Sequence, residues 1–235
     1  VEIEYQALPN NSAPKKRLVE QVRMLYFAED LKTALPFGQL NRLGLPYETY
    51  KIALTENLLA AVLGDKLPSL QEPGESPAGM LKRVLSAGGY HQFTAEPATW
   101  WIRSGIAGFQ PDAAAHFYLP ERYTDPFGQT TILSYDKDDL YLKTSEDPLK
   151  NRSEVTRFDY RVLAPVELKD PNNNLSEVAF DLLGLPTAVA LKGKGNEGDN
   201  LNGVPIEIPE AAVLAFFTGD YDENAARIWL GNASA

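Results

Sequence analysis

Two histidines, 32 acidic side chains and no cysteine bound the chemistry open to this chain of 235 residues. The missing cysteine removes disulfides, thiolate nucleophiles and sulfur-bound zinc. His91 lies between Tyr90 and Gln92, and His116 precedes Phe117-Tyr118; neither belongs to a G-x-S-x-G or H-E-x-x-H pattern. Both are read as hydrogen-bonded strand residues rather than catalytic bases. Carboxylates that could form a glycosidase-like pair are Asp136 with Asp138 and Asp220 with Glu223, but each pair stands in a turn or helix-cap context.

Three further patterns fail on their neighbours. Gly193-Lys194-Gly195-Asn196-Glu197-Gly198 matches G-x-G-x-x-G, yet Asp199 to Pro205 cannot start the helix whose N-terminus must face a pyrophosphate. Asp220, Asp222 and Asn224 have the 1-3-5 spacing of a calcium loop, as do Asp170, Asn172 and Asn174. Position six should then be glycine, and it is Ala225 or Leu175. The aromatics Trp100-Trp101, Phe117-Tyr118 and Tyr123 could stack on sugars, but neighbouring strand residues point to opposite faces, so at most one of each pair lines such a site. No cofactor and no metal is expected.

The elements that must carry these residues are set by composition and punctuation. A 44% apolar, 10% aromatic chain can build a core, and the net charge of −10 argues against nucleic acid and anionic membranes as partners. No apolar run reaches the roughly 18–20 residues of a membrane span. The opening Val1-Glu2-Ile3-Glu4-Tyr5 carries neither an initiator methionine nor a signal pattern, and is read as the start of a segment of a longer chain. Short helices are expected from a Thr55 cap to Leu63, from Ser76-Pro77 to Gly88, from Pro209 to Gly219, and from Asp222 to Leu230. Strands are expected over Lys16–Phe27, Tyr47–Ala53, Phe93–Ile102, His116–Leu119 and Val204–Ile208.

Between Tyr123 and Leu191 the chain repeats itself. Asp-Pro recurs as Asp125-Pro126, Asp147-Pro148 and Asp170-Pro171, at steps of 22 and 23 residues. An aromatic followed by aspartate recurs as Tyr135-Asp136, Phe158-Asp159 and Phe180-Asp181, at steps of 23 and 22. Two dipeptides that share one period mark a structural repeat. Proline fixes φ and aspartate bonds its own backbone two residues on, so each Asp-Pro sets a turn. Alternating residues follow: Thr131, Leu133 and Tyr135 on one face, Thr130, Ile132 and Ser134 on the other. A second turn leads to a returning strand, at Leu140–Leu142 or Ala188–Leu191. The unit is therefore a β-hairpin and its repetition an antiparallel meander. Leu133, Val155 and Val178 hold equivalent places on one buried face. The second copy has one extra residue between its motifs, which predicts a bulge near Arg157.

Tyr135-Asp136 and Phe180-Asp181-Leu182-Leu183-Gly184, with their upstream Asp-Pro turns, resemble the YD repeats of Rhs-type proteins. Pro36-Phe37-Gly38-Gln39-Leu40, Leu45-Pro46-Tyr47-Glu48-Thr49-Tyr50-Lys51, Trp100-Trp101-Ile102 and the stretch from Asp170 to Gly184 are similar to the later part of the B component of bacterial insecticidal toxin complexes. The family's glycine-arginine-leucine ending stands here as Gly184-Leu185-Pro186, and the second copy has Tyr160-Arg161 instead. The resemblance implies a secreted or cell-surface bacterial protein and a hollow β-shell. In such shells the B component joins a C component carrying the toxic segment, and a pore-forming A component translocates the cargo.

The expected fold is thus mainly β: an antiparallel repeat meander forming a curved sheet, with a few short helices. Residues 1–120 form a mixed strand and helix part, 121–192 the hairpin repeats, and 193–235 a loop with short helices, in one continuous architecture. The expected function is a non-enzymatic segment of the shell, whose open sheet edge pairs with the remainder of its own larger chain. The repeat residues, Asp125 through Gly184, are expected to be structural. A carbohydrate-binding β module and an acid-pair hydrolase are the alternatives. An exposed tryptophan would mark the first, and a cleft with paired carboxylates the second.

Overall fold

Caps and turn-formers cut the first part of the chain into short elements. The computed structural model describes all residues except 6, 11, 195–196, 206–208, 220–222, 225–226 and 228–235. The described residues fall into two compact units, Val1–Ala113 with Pro120–Thr130, and Ala114–Leu119 with Thr131–Ala235.

In the first unit β1 (Glu2–Ile3) pairs in parallel with β2 (Lys16–Arg17). A three-stranded antiparallel sheet runs in the order β3 (Val22–Tyr26), β4 (Pro46–Thr55), β5 (Thr99–Arg103). Helix α1 (Glu56–Leu63) begins where the Thr55 hydroxyl accepts the Leu58 amide at 3.1 Å. Helix α2 (Pro77–Ala87) begins where the Ser76 hydroxyl accepts the Gly79 amide at 3.1 Å, with Pro77 at the first helical position. Both starts follow the capping pattern expected of them. The unit closes with the hairpin β6 (Ile106–Gly108) and β7 (Arg122–Thr124).

Four strand expectations need correction. Lys16–Phe27 is broken, because Leu18–Gln21 leaves the sheet between β2 and β3. Within β3 the apolar parity points outward: Val22 is 51% exposed and Met24 is exposed with it, while Arg23 turns inward. Arginine wins that face because aromatic rings and a carboxylate receive its guanidinium, as described below. Over Phe93–Ile102 only Thr99 onward is strand. Pro97 cannot donate to a ladder, and backbone bonds from Glu96 to Phe93 and from Thr99 to Glu96 fold the segment into turns. His116–Leu119 is no strand either. A 3-10 turn over Ala113–His116 runs into Phe117 and Tyr118 at φ 54° and 56°, and the Leu119 amide bonds the His116 carbonyl. The strand expected over Val204–Ile208 reaches residues outside the described ones, and its described part, Val204 and Pro205, is in no strand; the Val204 amide closes a turn onto Leu201. The helix expected over Asp222–Leu230 lies largely outside the described residues.

The second unit is a meander. β8 (Thr130–Tyr135), β9 (Leu142–Glu146), β10 (Arg152–Asp159), β11 (Ala164–Lys169), β12 (Leu175–Phe180) and β13 (Pro186–Gly193) each pair antiparallel with their neighbours in sequence. The β10–β11 register shifts on both sides of Arg157, so the bulge falls where the extra residue placed it. Leu133 and Val178 are half-buried and Val155 buried, while Ile132 and Ser134 are exposed, in keeping with the alternation. Helix α3 (Glu210–Thr218) follows, with Pro209 one position earlier than expected, at the cap. The chain is mainly β, with antiparallel sheets and three short α-helices among the described residues.

Candidate functional site

The residues singled out by the repeat form turns, the Asp-Pro turns and the aromatic-Asp turns at opposite ends of the meander strands, and four of the six share one geometry. At Asp125, Asp147, Asp170 and Asp181 the aspartate amide donates to the carbonyl four residues on, at 2.8–3.0 Å. Its carbonyl accepts the amide three residues on, at 3.0–3.1 Å. One carboxylate oxygen accepts the amides two and four residues on, all at 2.8–2.9 Å. The residue at the third position is left-handed in every case: Gly128, Lys150, Asn173 and Gly184, at φ 81°, 69°, 67° and 85°. Pro126, Pro148 and Pro171 pre-set the first bend of three of these turns. Asn151 and Asn174 add a side-chain amide bond to the other carboxylate oxygen at 2.8 and 2.9 Å.

The aromatic-Asp turns of the first two copies are one residue wider. Asp136 accepts the amides of Leu140 and Tyr141 at 2.6 and 3.2 Å, and the Tyr160 hydroxyl at 3.2 Å. Asp159 accepts the Arg161 amide at 2.8 Å. Neighbouring turns are tied together. Tyr160 reaches back to Asp136, and the Arg161 guanidinium donates forward to the carbonyls of Asp181 and Leu182 at 2.8 Å each. Tyr141 stacks on Phe158 with ring centroids 3.8 Å apart. Gly184 is required twice over: by its positive φ, and because a Cβ there would meet Val162 at 2.9 Å.

One face of the sheet carries a balanced charge network. Lys192 lies 2.8 Å from Glu167 and 3.4 Å from Glu177, and Arg157 on β10 pairs with Glu177 on β12, across the intervening β11. Thr156 donates to Glu167 at 2.8 Å. The Lys192 hydrogen bond, ahead of partial burial that acts the other way, holds the Glu167 carboxyl below its ordinary range.

At three of these turns the aspartate carboxyl is held below its ordinary range. Burial raises the Asp136 pKa, but amide donors from Leu140, Tyr141 and Asp138 and the Tyr160 hydroxyl together outweigh it and hold the carboxyl low. A general acid at neutral pH needs the opposite shift. In Asp147 and Asp170 the asparagine side-chain bond, then backbone amides, lower the pKa likewise. The carboxylate of Asp170 is spent on Asn172 and Asn174, the residues that share its calcium-like spacing. Among the described residues no group of three or more metal-ligating side chains comes together. The second calcium pattern begins on Asp220 and Asp222, outside the described residues, as do Gly195 and Asn196 of the glycine-rich loop. Asp220 is thereby removed from any described pairing with Glu223.

A denser polar cluster lies in the first unit, on the inner face of the sheet β3–β4–β5. Arg23, Tyr50 and Arg103 are register partners across the three strands. Glu48, 2% exposed, accepts the Tyr50 hydroxyl and the Arg103 Nε, the latter at 2.6 Å. Desolvation, and then the bond to Glu48, push the Tyr50 hydroxyl far above its ordinary value. Burial, and the Arg103 charge, lower the His91 imidazole. Arg23 stands 4.5 Å from the Trp101 ring centre, 4.9 Å from Phe93 and 5.3 Å from Phe37, and is paired with Glu96. Each charge has an opposite partner, and each ring a packed neighbour. Such an arrangement anchors a sheet; the raised tyrosine cannot serve as a base near neutral pH.

Trp100 and Trp101 are core residues. Trp100 and Trp101 are 1% and 0% exposed although they point to opposite faces, so both faces of this sheet are covered. Neither can stack on a sugar. Phe117 and Tyr123 are exposed.

With that geometry in place, solved structures give the comparison. The chain resembles the crystal structure of TcdB2-TccC3 with a TM-score of 0.58 and 21% identity, over 88% of this chain and 9% of that one. TcdB2-TccC3-TEV gives 0.58 and 20%, over 95% and 10%. The Tc holotoxin pore of Photorhabdus luminescens gives 0.53 and 22%, over 73% and 8%. The likeness is one of fold. This chain spans about a tenth of the length of the chains it matches. No family model and no curated protein sequence matches it.

Several site residues carry no local sequence signal. Glu48 and Arg103 are 55 positions apart, and Arg23 and Glu96 are 73 apart. His116 Nδ1 meets Asp139 Oδ2 at 2.8 Å, a contact made by the unexpected turn at Phe117-Tyr118. The asparagines at Asn151 and Asn174 were legible, since each stands four residues after an Asp-Pro aspartate.

Proposed function

We propose that this chain is a non-enzymatic wall segment of a β-shell of the toxin-complex and Rhs type, enclosing a cytotoxic cargo for delivery. The observation that carries the reading is the fold likeness to TcdB2-TccC3 over 88% of the chain. The repeated turns support it. Repeated hairpins that contact only their sequence neighbours make a sheet extendable in one direction, which is what a wall requires. We read the aspartate-capped turns from Asp125 to Gly184 as YD-type repeats. The partners are the remainder of a longer chain of its own, a C component bearing the toxic segment, and a pore-forming A component. The setting is secreted or cell-surface; among the described residues no helix is long and apolar enough to cross a membrane.

Protease protection tests this reading. The longer polypeptide that carries this segment, co-expressed with its C component, should shield the toxic segment from protease until the shell is denatured. A toxic segment cut as fast inside the assembly as when free would end the reading. The absence of catalysis has its own test. Glycoside, ester and peptide substrates should show no turnover that depends on a single aspartate or glutamate of this chain; a loss of such turnover on one Asp→Asn change would make it an enzyme.

A further inference from the structure

The first unit contains a cleft of about 850 Å³ that the shell reading does not use. That volume lies within the range of ligand pockets. One wall is the N-terminal segment with Ile3, Tyr5, Leu18 and Val19; the other is the end of β4 with the start of α1. Tyr5, Leu18 and Val19 are apolar and exposed, Val19 at 75%. The cleft opens where the chain parts from β4. Strand β4 has ten residues and β3 five, and the last bond between them is from the Ile52 amide to the Gln21 carbonyl at 2.9 Å. Beyond Ile52, among the described residues, no strand pairs with β4 on the β3 side. The lining thus combines apolar surface with a strand edge.

Its charge is acidic on balance. Glu2, Glu4, Glu56 and Glu96 line the cleft, with Lys51 as the one cation among the lining residues. Glu2 lies 3.8 Å from Lys16, Glu96 is paired with Arg23, Glu4 accepts the Asn57 side-chain amide at 2.6 Å, and Lys51 Nζ is 3.1 Å from Glu20. The α1 N-terminus offers no compensating anion site, because Thr55 caps it and Glu56 stands in its first turn.

We propose that this cleft is a docking groove for an extended basic peptide supplied by another polypeptide, which adds as a strand along β4 past Ile52. Alternate side chains of an added strand point opposite ways. Aliphatic ones face Leu18, Val19 and Ile52, and basic ones meet the glutamates at the rim, where complementary charge speeds encounter and rejects acidic competitors.

A fluorescently labelled synthetic peptide alternating lysine and valine is the probe, read by anisotropy against the intact chain. Saturable binding is expected that weakens as salt rises, with no binding of the counterpart alternating glutamate and valine. The double change Glu4→Gln and Glu56→Gln should weaken binding about tenfold while leaving the circular dichroism spectrum unchanged. Val19→Lys, at an exposed position that cannot threaten folding, should weaken it as well. Amide exchange should slow at Ala53–Thr55 when the peptide is bound. Equal binding of the acidic peptide, wild-type affinity in both variants, or slowed exchange only along β13 would each overturn the proposal, the last because the peptide would then be adding to the other unit's sheet.

Discussion

In the first unit a three-stranded sheet is covered on both faces, with Trp100 and Trp101 buried back to back and a buried carboxylate, Glu48, bonded to Tyr50 and Arg103. In the second unit six strands are paired with little buried between them: of the described apolar side chains there, only Val155 and Ala190 are buried. The first unit is held by contacts between residues far apart in sequence. The second is held by backbone ladders and by carboxylates that satisfy the amides of their own turns. A fold of the first kind specifies itself. A fold of the second kind resembles a repeat array, whose stability is a sum of local units and the interfaces between neighbours.

Substitutions can break this contrast. The largest loss is expected for Trp101→Ala, about 3–5 kcal/mol, since it empties a fully buried site and uncovers Arg23. Denaturant unfolding followed by tryptophan fluorescence would measure it. In the meander, Val155→Ala should cost about 1–3 kcal/mol, and Val178→Ala, at a half-buried place on the same face, should cost less. Equal losses at the two valines would mean that the sheet face is covered more evenly than the structure shows.

Acid should act mainly on the meander. The carboxyls of Asp136, Asp147, Asp170 and Glu167 have lowered pKa values there, against Asp30 and Glu75 in the first unit. A lowered folded value means that the unfolded chain binds protons more readily. The stabilisation is therefore complete above the ordinary carboxyl range near pH 4, and is lost as the pH falls through the lowered values. Chemical denaturation monitored by amide exchange should show β8–β13 losing protection on acidification before β3–β5 does. The smallest effect is a gain. Lys150→Gly relieves a left-handed lysine at φ 69° and should stabilise by up to about 1 kcal/mol, whereas Gly184→Ala should destabilise. Thermal midpoints of the two variants would separate them.

The meander was the more legible region because its determinants are local. Asp-Pro and aromatic-Asp pairs define the turns within five or six residues, and one extra residue in the second copy locates the bulge at Arg157. Helices α1 and α2 were legible for the same reason, through Thr55 and Ser76. The first unit's sheet was not. Val22 and Met24 share the parity of a core face, yet Arg23 takes the interior because Trp101, Phe93 and Glu96, 70 or more residues away, form its socket. The same holds for Glu48 with Arg103, and for the turn at Phe117-Tyr118 that delivers His116 to Asp139. Periodicity records which residues are apolar; it does not record which charged residue has a partner waiting.

The central claim is that this chain is part of a wall. Cryo-electron microscopy of the longer polypeptide that carries it addresses the claim most directly. The account predicts that β8–β13 lie in the wall of a closed hollow shell, with a further strand of the same polypeptide paired along β13. A meander packed face to face against a second sheet as a solid sandwich, with no enclosed space, would contradict it.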